Sequence, residues 1–521
     1  MRRRVALALG LVACGPVYMK PAPPAPEAPV EPPHVAPHDG TTADERVALF
    51  DLLVATVNDG HVFSPATWDN LRPLTFDKTL PELRESFGQA VTDADLLDAL
   101  ARFGNALHDP HLRFRPDLPA SAARAKYTLP LVIAPEWAPD HVTFVVVEAK
   151  ASGVDPGDIV TSYAGTPAYE LLRAHADRSN ANQWAGVALD VTRWMTERPV
   201  GVGDIDDTSN VMIELRKASG GTKKVELKWS RGGWHGEPAL DRAAPDYEQA
   251  HCARSLPVRA YPTYTLATHG ENFCLYTSTK APYSALPIVR FFSFDFGTPF
   301  GAEAEHDHLL RDLSALHGVK GIILDLRDNS GGNDPKWALE WFAPKPYLEL
   351  ATHVRKTAWL KLATEVDVTN LDEGWMKAIA KAPEGAILSR FIGCEADDCT
   401  DTRQRPTRRV LPVPVTLIVG PRCHSACDHF ARVFDLNGLG PIVGEPSGAD
   451  LTVLRVDHPV VFGGKRLGTL GLAVSVEYSP FTTSPVEGVP IHIDTPVLWS
   501  WAKRDVYDKE LVDAAVATFA K

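Results

Sequence analysis

Apolar residues recur every three or four positions in two stretches near the start of the chain, ADERVALFDLLVATVND (residues 43–59) and DADLLDALARFGNALHD (residues 93–109). This spacing places the apolar side chains on one face of an α-helix. Polar and charged residues fill the other positions, as on a helix with one face in solvent. The pattern therefore predicts a helical cap over residues 41–122.

The next stretch has the pattern of short strands and turns. HVTFVVVEAK (residues 141–150) reads as a strand, and NVMIELRKASGGTKKVELKWS (residues 210–230) as a hairpin that turns at two glycines. DPGDIVTSYAGTPA (residues 155–168) resembles the turn, strand and turn of a PDZ-type domain. We expect a small PDZ-like domain over residues 123–235, with an unrelated small β-domain as the alternative. PDZ-type domains bind extended peptides by adding a strand to a sheet edge.

Continuous apolar strands alternate with helices in the remainder of the chain. GIILDL and VTLIV are apolar throughout, and each is followed by a loop and a helix pattern, as in SACDHFARVFDLNG. Strands without polar alternation are typical of a parallel sheet covered on both faces. Residues 236–521 are therefore predicted to form an α/β domain with a mostly parallel sheet, whose loops at the carboxyl ends of the strands are the usual place for a ligand.

The N-terminus has the pattern of an export signal. MRRRVALALGLVACG carries arginines before an apolar run that is too short to span a bilayer. LVAC resembles a bacterial lipobox, which predicts a lipoprotein-type signal peptide over residues 1–14 and lipidation of Cys14. An ordinary signal peptide with an incidental cysteine is the alternative. Residues 15–40 are a proline-rich tether, and the expected location is the bacterial cell envelope, as a periplasm-facing or outer membrane lipoprotein.

Composition narrows the function classes. The chain has 521 residues, 45% of them hydrophobic and 23% charged, which is typical of globular domains. The net charge of -13, without a sustained basic run after the leader, argues against a nucleic-acid partner. Apart from Cys14, six of the 7 cysteines remain, an even number that permits disulfides in an exported chain but leaves their pairing open.

The segment PRCHSACDHF (residues 421–430) concentrates chemically active side chains around Ser425. Cys423, His424, Cys427 and His429 suggest a metal site, but four ligands cannot converge from one helix and the usual Cys-x-x-Cys hook is absent. We therefore expect neither a metal nor another cofactor. Ser425 follows a buried strand and opens a helix, so it is a candidate nucleophile at the positive end of the helix dipole, or simply the helix N-cap.

GIILDLRDNSGG together with VTLIVGPRCHSACDHFA and VGEPSGAD resembles the serine peptidase superfamily of C-terminal processing proteases, the tricorn core and interphotoreceptor retinoid-binding protein. The resemblance implies a crotonase-like α/β domain. It also implies an oxyanion hole from the backbone of Gly331 or Gly332 and of Ala426. The residues that brace the loop would be Asp325, Arg327 and Asn329. The family's glutamate after the serine is Asp428 here.

The base that activates Ser425 is also suggested by the resemblance. One branch of the superfamily uses a lysine, but no lysine occurs between Ser425 and Lys465, and Asp450 occupies the matching position. The tricorn-like branch uses a histidine and a glutamate. LHDPHLRF supplies His111, with His108 as the competitor, and SPVEGVPIHID supplies Glu487.

The resemblance therefore implies an exported serine endopeptidase that works through a Ser425–His111–Glu487 triad and an acyl-enzyme. Its expected partners are unfolded proteins or C-terminal protein segments, and the lipid on Cys14 would anchor it to a membrane. A catalytically inactive peptide- or small-ligand-binding protein on the same scaffold is the alternative. A hydrolase of small esters or amides is a further possibility, since fold alone does not define substrate.

Overall fold

The computed structural model describes residues 41–62, 76–118, 125–137, 141–203, 205–206, 208–231, 252, 263–294, 299–333, 335–343, 346–357, 373–391, 403–404, 413–452, 455–481 and 485–520. The predicted signal peptide with Cys14 and the predicted tether lie outside the described residues, as do Cys394 and Cys399. Within the described part, none of the helices combines the length and the apolarity that a membrane crossing requires.

The N-terminal region is built mainly of helices, two of which begin with a capping box. Its elements are α1 (Ala43–Gly60), α2 (Phe76–Gln89), α3 (Asp93–Asn105) and β1 (Phe114–Pro116). Thr42 and Glu45 form a capping box at the start of α1, and Thr92 and Asp95 form another at the start of α3. Each box satisfies backbone N–H groups that have no partner inside the helix, and thereby fixes where the helix begins.

The middle region is built mainly of antiparallel strands. Its elements are β2 (Lys126–Thr128), β3 (Leu131–Trp137), β4 (Val142–Ala149), β5 (Ile159–Tyr163), β6 (Thr166–Pro167), α4 (Ala168–Ala174), α5 (Trp184–Thr196), β7 (Glu197–Pro199), β8 (Asn210–Arg216), β9 (Thr222–Lys228) and β10 (Ser230–Arg231). One sheet has the order β3-β4-β5-β8-β9, with β6 paired to β5, and β10-β2-β7 form another. The hairpin predicted at the two glycines is β8–β9, but the structure does not identify the region as a PDZ domain.

The C-terminal region contains the α/β layer. Its elements are β11 (Tyr264–His269), β12 (Phe273–Ser278), β13 (Ile288–Phe291), α6 (Pro299–Ala315), β14 (Ile322–Asp325), α7 (Lys336–Phe342), β15 (Tyr347–Leu348), β16 (Ala351–Arg355), α8 (Glu373–Lys381), β17 (Ile387–Phe391), β18 (Arg403–Gln404), β19 (Val415–Val419), α9 (Ala426–Leu436), β20 (Ile442–Gly444), β21 (Arg455–Phe462), β22 (Lys465–Ala473), β23 (Ser475–Tyr478), β24 (Thr495–Pro496) and α10 (Tyr507–Thr518).

A seven-stranded sheet with the order β11-β12-β13-β14-β19-β20-β24 organises this region. Strands β13, β14, β19, β20 and β24 are parallel, whereas β11 and β12 are antiparallel. Along β14, Leu324 packs in the apolar core on one face and Ile323 in the core on the other. Burial on both faces explains why these strands read as continuous apolar runs, and the sheet is consistent with the predicted α/β fold class.

The N-terminal helices share their core with C-terminal strands. Phe50, Phe87 and Phe103 pack edge to face and belong to one buried cluster with Leu470 and Leu472 of β22. Strand β1 also pairs with β22. The helices of the predicted cap therefore pack on strands that come more than 350 residues later in the chain, which brings the loop after α3 to the α/β layer.

Candidate active site

Ser425 stands between β19 and α9 with an unusual backbone. Its φ of 55° and ψ of -122° lie in a region that L-residues rarely adopt. Ser425 occupies the N-cap position of α9, but its hydroxyl makes no capping hydrogen bond. The Oγ atom instead lies 3.1 Å from Nε2 of His111. The strained turn therefore presents the hydroxyl to an imidazole rather than to the helix, which is the arrangement of an activated nucleophile.

A disulfide and a neighbouring glycine loop hold this turn. Cys423 and Cys427 are joined on either side of the serine, and both are buried. Gly331 has a φ of 100°, and a Cβ added to it would lie 2.8 Å from the Cβ of Ser425. Only glycine fits this position without displacing the nucleophile turn.

The glycine loop is braced by the residues that the resemblance implied. Asn329 accepts a hydrogen bond from Gly331 N through Oδ1 at 2.8 Å, and its carbonyl accepts one from His424 N at 3.3 Å. Arg327 donates from Nη2 to Asp325 Oδ2 at 2.7 Å, and both side chains are buried. Although burial opposes the charge, Arg327 keeps the pKa of Asp325 below its ordinary value. These contacts fix the end of β14 beside the nucleophile.

Of the three residues predicted for an oxyanion hole, Ala426 follows Ser425 in the chain and Gly331 lies against it. Ala426 is the first residue of α9, where backbone N–H groups have no partner within the helix. Gly331 places its backbone against Ser425 and Ala426, but its N–H is donated to Asn329. Gly332 follows with a φ of 130°. The N–H groups of Gly332 and Ala426 are therefore the better candidates for holding a developing oxyanion.

His111 lies in the loop between α3 and β1. Its backbone N donates to Asp109 Oδ1 at 2.9 Å, which fixes the main chain of the loop. Its Nδ1 faces Thr452 Oγ1 at 2.9 Å and Asp450 Oδ1 at 3.2 Å, while its Nε2 faces Ser425. Of the two histidines that the sequence left open, it is thus His111, rather than His108, that the structure brings to the serine.

Asp450 and Thr452 were not predicted as site residues. They follow β20 in a loop where Asp450 O accepts from Ser425 N at 3.1 Å. The backbone N of Asp450 donates to Asp428 Oδ2 at 2.9 Å, so two bonds join this loop to the nucleophile turn. The sequence signal was an aspartate at the position where the lysine branch has its base. In the sequence alone, this aspartate indicates only that the lysine base is absent.

Asp428 is a buried acid in the first turn of the helix that follows Ser425. Burial raises the pKa of Asp428 to about 8, and the Asp450 N–H that it accepts lowers the pKa only in part. Its carboxyl group is therefore largely protonated at neutral pH. A neutral carboxyl group can support the Asp450 loop without placing a second negative charge beside the imidazole.

Glu487 is fully buried, and its carboxylate bonds to the residue that follows Asp450. It accepts hydrogen bonds from Asn182 Nδ2 at 2.7 Å and from Leu451 N. Its carboxylate thus holds the residue after Asp450, whereas Asp450 itself contacts His111 Nδ1. The predicted role of Glu487 as the carboxylate that orients the histidine stays a prediction.

Three side-chain amides reach the site from the middle region, and no motif in the sequence marks them as site residues. Asn180 donates to Pro110 O at 3.2 Å, Asn182 to Ala449 O at 2.6 Å, and Gln183 to Gly488 O at 2.6 Å. We call residues 180–183 the amide clamp. It touches the loops that carry His111, Asp450 and Glu487, so all three regions of the described chain meet at the site.

The potential metal ligands have other partners. Cys423 and Cys427 form a disulfide, and His429 bonds to Glu477 at 2.7 Å through Nδ1. Ligand atoms of Asp109, His111 and Asp450 lie within 4.8 Å of one another. The hydrogen bonds that connect these three residues with Thr452 account for this proximity, so we assign no metal site to them.

A serine hydroxyl beside an imidazole, a carboxylate on the other ring nitrogen and a helix N-terminus are the parts required for acyl transfer. The sequence profile described as peptidase family S41 matches residues 288–495, which include Ser425, Asp450 and Glu487. The α/β layer is thus similar to the S41 serine peptidases over these residues. His111 lies outside the matched residues and reaches the serine only in the folded chain.

Solved structures show that this peptidase shares its fold with mature CPAF. The structure of mature CPAF has a TM-score of 0.63 at 14% sequence identity, covering 91% of this chain and 96% of that chain. Mature CPAF complexed with lactacystin has a TM-score of 0.62 at 15% identity, covering 91% of this chain and 98% of that chain. No curated protein matches the sequence significantly. The comparisons support a serine peptidase with this fold.

Proposed function

We propose that this serine peptidase is an endopeptidase in which Ser425 is the nucleophile and His111 the general base. The observation that carries the proposal is the 3.1 Å distance between Ser425 Oγ and His111 Nε2. The contact from His111 Nδ1 to Asp450 Oδ1 at 3.2 Å supports it, because a carboxylate there favours the tautomer whose Nε2 accepts a proton.

The reaction proceeds in two acyl-transfer steps. Ser425 Oγ forms a bond to the carbonyl carbon of a peptide, and its proton moves to His111 Nε2. The N–H groups of Gly332 and Ala426 stabilise the oxyanion. His111 then gives the proton to the departing amine as the C–N bond breaks, which leaves an ester on Ser425. Water, deprotonated by the same imidazole, attacks that ester, and its cleavage restores the serine and releases the acid product.

Asp450 and Glu487 have different parts in this proposal. Asp450 stabilises the imidazolium directly because it faces Nδ1. Glu487 acts through the backbone, since its carboxylate holds Leu451 N and the amide clamp. The resemblance implies the first part for Glu487, whereas the contacts of the two carboxylates favour Asp450.

The proposed substrates are unfolded proteins or C-terminal protein segments, processed in the bacterial cell envelope. The lipobox-like LVAC segment supports anchoring through Cys14, and the sheet of the middle region offers β3 and β9 as edge strands for an extended peptide. Fatty-acid labelling of the wild type in a bacterial host, absent from the Cys14→Ser variant, tests the anchor.

Hydrolysis of a permanently unfolded protein tests the peptidase proposal. The purified full chain is expected to release new amino groups from reduced and carboxymethylated lactalbumin. Ser425→Ala should abolish this release, whereas Ser152→Ala, a change at an exposed serine between β4 and β5, should leave it intact. Binding of the unfolded protein without hydrolysis by the folded wild type would favour the non-catalytic binding protein instead.

A further inference from the structure

A second chain of hydrogen bonds starts at the same ring nitrogen that faces Asp450. Thr452 Oγ1 lies 2.9 Å from His111 Nδ1 and donates to Asp109 Oδ1 at 2.7 Å. The other oxygen of Asp109 lies 2.8 Å from His61 Nε2. Thr452, Asp109 and His61 are all buried, so these contacts are formed away from competing water.

The direction of these bonds follows from the number of protons on each group. A threonine hydroxyl has one proton, and the short contact to Asp109 takes it, since the other carboxylate, Asp450, is 3.4 Å from the hydroxyl. The hydroxyl therefore accepts from His111 Nδ1. A proton on Nδ1 leaves the lone pair of Nε2 for the proton of Ser425. The chain thus selects the imidazole tautomer that general-base catalysis requires.

Asp109 fixes His111 at two places with one oxygen. Its Oδ1 accepts from the backbone N of His111 at 2.9 Å and, through Thr452, determines the direction of the ring. The same oxygen is 4.0 Å from His111 Nδ1, so its negative charge also faces the imidazolium that forms during the reaction.

His61 joins the far end of this chain to the N-terminal helices. It is the C-cap residue of α1, and its contact with Asp109 Oδ2 leaves Oδ1 directed to the loop of His111. We propose that Thr452, Asp109 and His61 are positioning residues that set the tautomer and orientation of His111, in parallel with Asp450. This proposal rests on the proposed role of His111 as the base.

Substitution of Thr452 in the full chain tests the proposal. Thr452→Val keeps the size of the side chain but removes the hydroxyl, and should lower kcat by about 10- to 100-fold, within the range for disturbed general-base catalysis, with little change in KM. Thr452→Ser restores the hydroxyl and should recover most of the wild-type kcat. Thr192→Val, which removes a buried hydroxyl bonded to the backbone of α5, is the matched control and should keep the wild-type kcat.

The pH profile of kcat/KM separates the two possible roles of Thr452, because losing a purely structural contact would not shift this profile. Thr452→Val should move its acidic limb to lower pH, because an imidazolium without this acceptor is less stabilised and loses its proton more easily. Thr452→Ala provides the same comparison if the valine variant does not fold.

Two results would overturn the inference while Ser425→Ala still abolishes activity. One is that Thr452→Val and Thr452→Ala both keep the wild-type kcat and the wild-type pH profile. The other is that Thr452→Ser loses as much activity as Thr452→Val, which would indicate a role for the methyl group. An inactive wild type would instead contradict the proposed function.

Discussion

Ser425 shows how a local strain is maintained at the site. A non-glycine residue in such a backbone conformation costs on the order of 1–3 kcal/mol, and surrounding contacts must hold it. Here its N–H donates to Asp450 O at 3.1 Å, and the disulfide closes the turn around it. The loop that supplies a carboxylate to His111 therefore also holds the nucleophile in place.

The two buried carboxylates near the imidazole predict different effects on catalysis. Asp450→Asn should lower kcat about 100-fold or more, because an amide facing Nδ1 favours the wrong tautomer. Glu487→Gln should lower kcat less, since this carboxylate contacts Leu451 N and Asn182. Steady-state kinetics on one peptide substrate makes the comparison. A larger loss in Glu487→Gln would return the orienting role to Glu487.

The raised pKa of Asp428 predicts that the stability of the folded chain depends on pH. Its pKa is raised from 3.8 to about 8 in the folded chain by burial. Between these values the unfolded chain releases the proton and the folded chain keeps it. The contribution of Asp428 to the free energy of unfolding is therefore fully present below about pH 4 and is lost as the pH rises to about 8. Asp428→Asn mimics the neutral acid. The melting temperature of the variant should therefore gain on that of the wild type between pH 5 and pH 8.

Differential scanning fluorimetry at several pH values compares the two proteins. Asp435→Asn, a change in an incompletely buried acid further along α9, is the control. A constant difference in melting temperature between Asp428→Asn and the wild type would show that Asp428 is already ionised in the folded chain.

At the scale of elements, the sequence predicted the parts of the site that lie within one strand-loop-helix unit. The apolar runs, the glycines after β14 and the serine before α9 are local signals, and the structure places them together. Thr452 and the amide clamp carry no such signal, because their positions depend on contacts between distant segments. His111 was found only through the resemblance.

The disulfide between Cys423 and Cys427 is predicted to support the reactivity of the nucleophile turn. A Cys423→Ala/Cys427→Ala double variant should lower kcat by about 10-fold, because the strained turn loses a covalent constraint. The Cys252→Ala/Cys274→Ala double variant is the matched control. It removes a disulfide that joins β12 to Cys252 and should lower the melting temperature while retaining kcat. Equal kcat in both double variants would contradict a special role for the first bond.

On the scale of the whole molecule, the site depends on regions far apart in the chain. The helices at residues 43–105 share a core with β22, and the amide clamp extends from the middle region to the loops of the α/β layer. The S41 profile covers only residues 288–495, so the family match by itself does not include His111. Sequence periodicity predicted each region, but not the contacts through which they form one site.

The amide clamp predicts that the middle region influences catalysis. Asn182→Ala removes the donor to Ala449 O and Glu487, and should lower kcat by about 10-fold. It should also destabilise the fold by about 1–3 kcal/mol through the unpaired groups it leaves. Asn210→Ala, at an exposed asparagine of β8, is the control. Kinetics and urea unfolding measure the two effects, and an unchanged kcat would mean that the clamp only stabilises the fold.

Covalent labelling of the purified full chain with a fluorophosphonate, followed by mass spectrometry of the modified peptide, tests the proposed roles of Ser425 and His111 directly. We expect one label on Ser425, no label at that position in Ser425→Ala, and labelling slowed by about 10²-fold or more in His111→Ala. A folded wild type that stays unlabelled at Ser425, or a His111→Ala variant that is labelled there at the wild-type rate, would exclude these roles.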